Sequence, residues 1–112
     1  MKRKRDVYYW QERSTLKVLS DEWKEHVVFK IVDDDGIEGI GGSTPEKSFG
    51  ETFKTSMAVI ESLRKLTENY EDLSNLYDFE REMDIIVKKD MSAKAAVTLA
   101  ILDYIKNKND ID

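Results

Sequence analysis

Between His26 and Val32 the chain alternates as a strand does: Val27, Phe29 and Ile31 fall on one side and Val28, Lys30 and Val32 on the other, the period of two that pleating imposes. Apolar residues on the second side predict that both faces of this strand are at least partly covered. Upstream, Val7-Tyr8-Tyr9-Trp10 is aromatic and β-branched, and Leu16 and Val18 flank Lys17. This predicts one or two short strands between Val7 and Val18, ahead of the polar segment Ser20-Asp21-Glu22. Asp34-Asp35-Gly36 supplies a tight hairpin turn, because Gly accepts positive φ and Asp bonds nearby backbone. Ile37 to Ile40 then returns as the partner strand. Gly41-Gly42-Ser43-Thr44-Pro45 breaks the pattern and predicts a loop reaching about Gly50.

After Gly50 the period becomes helical. Phe53, Met57, Ile60, Leu63 and Leu66 recur every three or four residues, which predicts a helix ending near Thr67 to Tyr70. Leu73, Leu76, Phe79, Met83 and Ile86 predict a second helix, with Asp72 as its N-cap and Lys88-Lys89 at its C-terminal end. Ala93, Ala96, Val97, Ala100, Ile101, Tyr104 and Ile105 give the last helix a broad apolar face, with Ser92 or Asp90 as its cap. Ala96 and Ala100 stack on one stripe, so another element can approach that backbone closely. Strands first and helices afterwards define an α+β fold, a three-stranded antiparallel meander followed by a three-helix bundle.

Composition narrows the chemistry. A length of 112 residues is one domain, spanning 1–112. No apolar run approaches the roughly 18 residues of a membrane span, so no membrane partner is expected. A net charge of -5 opposes binding to phosphate backbones, so no nucleic acid is expected either. The chain has no cysteine and one histidine, His26, which excludes disulfides, thiolate nucleophiles and Cys-ligated zinc. The basic start Lys2-Arg3-Lys4-Arg5 has no apolar stretch after it, so it is read as solvated charge and not as a secretory signal; the expected compartment is the cytoplasm.

Candidate sites are correspondingly few. Asp33-Asp34-Asp35-Gly36 lacks the later oxygen ligands of a calcium loop, and Gly36, Gly39, Gly41 and Gly42 lack the Gly-Lys-Ser/Thr of a phosphate cradle. Glu68, Glu71, Asp72, Asp78, Glu80, Glu82 and Asp84 fan out along helices as a hydrated face, so no metal ligands are assigned. His26 has no nucleophile to activate. Trp23, set in a polar segment, and Phe49, in the long loop, could each anchor the core or meet a ligand.

Three motifs in order resemble the N-terminal capping domain of the enolase superfamily, in its mandelate racemase and muconate lactonizing enzyme branch. The first is Phe29 to Gly41, with its Gly36-x-x-Gly39-x-Gly41. The second is Pro45 followed by Gly50-Glu51-Thr52, similar to dipeptide epimerase-like members. The third is Ser92 to Tyr104, an Ala-rich helix ending in Ala100-Ile101-Leu102-Asp103.

The resemblance implies a lid for a (β/α) barrel that carries the acid/base lysines and the magnesium ligands, so no catalytic residue is assigned to this chain and no cofactor is expected in it. Such a cap closes two loops over the barrel mouth, here about Val18 to Glu25 and Gly42 to Phe53. Trp23, Ser43, Thr44 and Phe49 thereby become candidate substrate contacts. Gly42 departs from the glutamate that members usually carry there. The implied parent activity is proton abstraction beside a carboxylate, in a dipeptide epimerase or racemase, with o-succinylbenzoate synthase and muconate cycloisomerase as alternatives. The barrel is expected in cis or in trans, near or beyond Asp112, and the chain is expected to be inert alone. The other reading is a free-standing interaction module that keeps the cap fold and forms a homo-oligomer.

Overall fold

In the computed structural model the described residues are 3–15, 23–43, 53–88 and 91–110. Strands β1 (Asp6–Thr15), β2 (Trp23–Val32) and β3 (Glu38–Ser43) form an antiparallel sheet in the order β1-β2-β3. Helices α1 (Phe53–Asn69), α2 (Leu76–Ile86) and α3 (Met91–Asn109) follow. The α+β order predicted from the pattern is the order observed.

The period of two in β2 becomes burial. Val27, Phe29 and Ile31 are fully buried, Val28, Lys30 and Val32 only partly so. Val7, opposite Ile31 in β1, joins the same face. The helices close over it with Ile60 and Leu63 from α1, Phe79 and Met83 from α2, and Ala93, Ala96, Val97, Ala100 and Ile101 from α3. Each large apolar side chain withdrawn from water contributes roughly 1.5–3 kcal/mol. Tyr70, just past α1, meets Phe79 of α2 edge to face at 5.1 Å between centroids.

Two glycines let β3 and α3 approach closely. A Cβ built on Gly39 would lie 2.2 Å from the Ala100 carbonyl oxygen, and one on Gly41 would lie 2.2 Å from that of Ala96. The small-residue stripe of α3 therefore rests directly on the backbone of β3. This also corrects the predicted break at Gly41: β3 continues through Gly41 and Gly42 to Ser43, because α3 supplies the cover that glycine side chains cannot. Thr44 and Pro45, the rest of that predicted loop, lie outside the described residues.

Other boundaries move for local reasons. β1 is one continuous strand to Thr15, while Leu16 and Val18 lie outside the described residues. β2 begins at Trp23, three residues earlier than predicted, because its register with β1 extends to Thr15. The hairpin pivots on Asp33: its Oδ1 accepts from the N–H groups of Asp35 and Ile37, both at 2.9 Å, and Gly36 takes φ +80°. Asp72 is not the cap of α2. Its Oδ1 accepts from the backbone N–H and hydroxyl of Ser74 in a turn of its own, and the helix starts at Leu76. Ser92 lies inside α3, and Asp90 is outside the described residues.

The basic N-terminal run is not simply solvated. Arg5 is 8% exposed and donates from one guanidinium nitrogen to the carbonyls of Thr67 (2.6 Å) and Tyr70 (2.7 Å). It serves carbonyls at the C-terminal end of α1, which no later helical N–H can reach. The Lys4 N–H donates to the Glu68 carbonyl at 2.9 Å. Glu68 is likewise buried, not part of a hydrated face: its carboxylate receives Arg64 at 2.6 Å.

Candidate functional site

In a meander the first and third strands run the same way. β1 and β3 both lie antiparallel to β2, so Thr15 and Ser43 end their strands at one end of the sheet, where Trp23 begins the next. Residues 16–22 and 44–52, the two connections that leave this end, overlap the segments Val18 to Glu25 and Gly42 to Phe53 singled out in the sequence, whose remaining residues lie in β2, β3 and α1. The start of α3 lies here too, because the Ser43 hydroxyl donates to the Ser92 carbonyl.

The four candidate contacts fare differently. Trp23 is the first residue of β2, opposite Thr15, and so belongs to the sheet and not to a polar loop. Ser43 closes β3, and its hydroxyl ties that strand to α3. Thr44 and Phe49 lie outside the described residues. Gly42, the position that departs from the family pattern, is exposed, and a Cβ there would meet only the Val27 carbonyl oxygen, at 3.3 Å. Unlike Gly39 and Gly41, it is not demanded by packing.

Polar anchors that the sequence reading missed fasten the hairpin half of β3 to α3. Asp103 Oδ2 accepts from the Ile40 N–H at 2.9 Å, and Asn107 donates to the Glu38 carbonyl at 2.8 Å. Two side chains one turn apart on α3 thus occupy two of the outward backbone groups of β3. The Ala-x-x-Asp spacing was the available signal for Asp103: Ala100 lets the helix approach, and three residues later the carboxylate reaches the strand edge.

Further anchors couple the sheet to the helices. The Tyr9 hydroxyl donates to Glu61 on α1, which also receives Arg64. The Arg64 hydrogen bonds, followed by that of Tyr9, hold the Glu61 carboxyl down at about 2. At the opposite end, the Tyr104 hydroxyl donates to Asp33 at 2.8 Å. Burial, and then this bond, push Tyr104 up to about 12. Burial would raise Asp33, but bonds from Ile37, Tyr104 and Asp35 outweigh it and leave its carboxyl below the ordinary range.

These shifted groups are all engaged in fixed structural bonds. Among the described residues, no group of three or more His, Cys, Asp or Glu side chains could hold a metal ion, so these residues do not fit the magnesium that the resemblance implies. His26 occupies β2 opposite Glu12. No helix is long and apolar enough, among the described residues, to cross a membrane. What the described residues offer is a sheet with the strand ends Thr15, Trp23 and Ser43 at one end.

Comparison with known proteins agrees with that picture. The family model "Mandelate racemase / muconate lactonizing enzyme, N-terminal domain" matches residues 6–110. Among solved structures, the chain is similar to the dipeptide epimerase of Enterococcus faecalis V583, at 25% identity and TM-score 0.84, covering 97% of this chain and 31% of that one. It is similar to the dipeptide epimerase of Methylococcus capsulatus complexed with Mg and the dipeptide L-Arg-D-Lys, at 24% identity and TM-score 0.82, covering 98% and 33%. The 2-chloromuconate cycloisomerase of Rhodococcus opacus 1CP shares the fold at 21% identity and TM-score 0.80, covering 97% and 30%. The chain thus spans about a third of the length of these structures. No curated protein matches it.

Proposed function

Because the chain belongs to the mandelate racemase / muconate lactonizing enzyme N-terminal domain family, we propose that it is the substrate-capping domain of an enolase-superfamily isomerase acting on dipeptides. One observation carries this reading: both connections suited to cover a substrate leave the same end of the sheet, the end at which Ser43 is tied to the start of α3. The partner is a (β/α) barrel joined in cis, as the coverage of about a third of each similar structure suggests. Magnesium and the acid/base groups belong to that barrel.

The cap's share of catalysis is then indirect. Closing segments 16–22 and 44–52 over the barrel mouth excludes water, which strengthens electrostatic interactions beneath, and contacts the distal part of the substrate. Trp23, Thr44 and Phe49 make those contacts. Ser43 positions the second segment through its bond to α3. Alone, the domain turns nothing over.

The test replaces the N-terminal domain of the E. faecalis epimerase with this chain and measures dipeptide epimerisation with magnesium present. Expected results are no turnover by the isolated chain, turnover by the chimera, and a loss of about tenfold or more in kcat/KM on Phe49→Ala, the scale of one misfitted apolar contact. In parallel, residues 16–22 and 44–52 alone are grafted onto the intact epimerase. A graft that folds and binds magnesium yet keeps the parent's dipeptide preference unchanged would overturn the reading, as would turnover by the chain alone.

A further inference from the structure

The two edges of the sheet are finished differently. On β3 the Ile40 N–H is taken by Asp103 and the Glu38 carbonyl by Asn107, so these even-numbered residues face outward and the odd ones pair with β2. Alternation along β2 then requires Val28, Lys30 and Val32 to pair with β1, through Trp10, Tyr8 and Asp6. On β1, therefore, the backbone groups of Val7, Tyr9, Gln11, Arg13 and Thr15 point away from the sheet. No described backbone or side chain meets them. β1 is ten residues long and carries no proline, so its middle lacks the devices that blunt an edge.

The sheet face opposite the helices is also apolar around this edge. Tyr8 (52% exposed), Trp10, Val28, Val32 and Ile40 lie on it.

We propose that the β1 edge pairs with the β1 edge of a second copy of this chain, antiparallel about a two-fold axis at Trp10, making one six-stranded sheet. Self-complementarity selects this occupant and register. With Trp10 opposite Trp10, Tyr8 falls opposite Glu12, Val7 opposite Arg13, Tyr9 opposite Gln11 and Asp6 opposite Ser14, so no like charges meet. Shifting the axis to Tyr9 places Asp6 against Glu12, a repulsive pair. Shifting it to Gln11 sets Trp10 against Glu12 and loses the aromatic pair. With Trp10 central, Tyr8 and Trp10 of both copies form one aromatic cluster on the open face. Tyr9 and Gln11 exchange the main-chain bonds. The inference stands on the sheet alone and does not depend on the capping function.

The chain has no native cysteine, so a single introduced thiol reports one position without ambiguity. The full chain is examined by light scattering coupled to gel filtration, alongside Gln11→Pro, which removes an outward N–H while sparing the pairing with β2. Expected are the mass of two chains for the wild type, the mass of one for Gln11→Pro with an unchanged far-UV spectrum, and a disulfide-linked dimer on air oxidation of Trp10→Cys but not of Ile40→Cys. If Gln11→Pro does not fold, Trp10→Lys, which sets two ammonium groups face to face, carries the same expectation of a monomer. A wild type that stays monomeric at all concentrations, or a dimer that survives these substitutions, would overturn the proposal.

Discussion

Single residues show most directly how backbone proximity, not side-chain chemistry, is decisive here. Gly41→Ala would force a Cβ to within 2.2 Å of the Ala96 carbonyl oxygen, so α3 must lift from β3, at a cost of about 3 kcal/mol or more. Gly36→Ala meets open space and only the strain of φ +80°, costing about 1 kcal/mol. Urea unfolding of the two variants should rank them in that order. Equal losses would mean that the α3–β3 approach is looser than described.

Glu61 gives the pH counterpart. Its carboxyl is held at about 2 against an ordinary value of 4.5, so the unfolded chain binds more protons between those values. The stabilisation is complete above about pH 4.5 and is lost as pH falls toward 2. Glu61→Gln should therefore be less stable than the wild type at pH 7, with the gap closing between pH 4.5 and 2 in denaturant titrations. A gap independent of pH would assign its role to shape alone.

Among the elements, the ends of helices carry the polar anchoring. Arg5 precedes β1 yet serves the last turn of α1, joining residues 62 and 65 positions apart in the chain. Arg5→Met keeps much of the side chain's bulk and removes both bonds, and should cost about 2–4 kcal/mol. Arg5→Lys should recover only part, because its ammonium on a shorter, flexible stem must reach the point from which one guanidinium nitrogen serves both carbonyls. Asp103→Ala strips the Ile40 N–H at a partly hydrated edge and should cost about 1 kcal/mol. Thermal melts of these three variants check the order.

The same scale shows how far sequence reading reaches. The alternation in β2 and the helical spacing of Ile60, Leu63, Phe79 and Met83 were legible, because one buried face forces its own period on the residues that line it. The Gly41 break and the Asp72 cap misled. Gly41 reads as a breaker unless α3 is known to lie on it, and Asp72 has the right side chain for a cap but spends it on Ser74. Arg5 and Glu68 carried charges that seemed to belong in water; the carbonyls of α1 and Tyr70 explain the burial of Arg5, and Arg64 one turn earlier on the same helix that of Glu68.

For the molecule as a whole, the described polar anchors divide the domain between a tied end and a presenting end. The hairpin at Asp33, the C-terminus of α1 and the last turns of α3 meet at one end through Arg5, Tyr104 and Asn107. The strand ends at Thr15 and Ser43 form the other. Hydrogen exchange should accordingly be slowest in β2 and α3, where Phe29, Ile31, Ala96 and Ala100 are fully buried, and faster in α2, which commits only Phe79 and Met83 to the core. Uniform protection across all three helices would show that α2 is bound to the body more tightly than its buried side chains indicate.

What the chain determined unaided was the order and type of its elements, the face each buries, and a pattern of glycines and alanines sufficient to identify the family. Such information is local, since period and turn chemistry act over a few residues. Which strand edge is covered, which charges are buried, and which two connections emerge together were decided only when β3 met α3 and β1 returned beside β2. Some of those contacts join residues more than sixty positions apart, as Ile40 and Asp103 are, and nothing in a local pattern encodes the distance at which two such groups will come to rest.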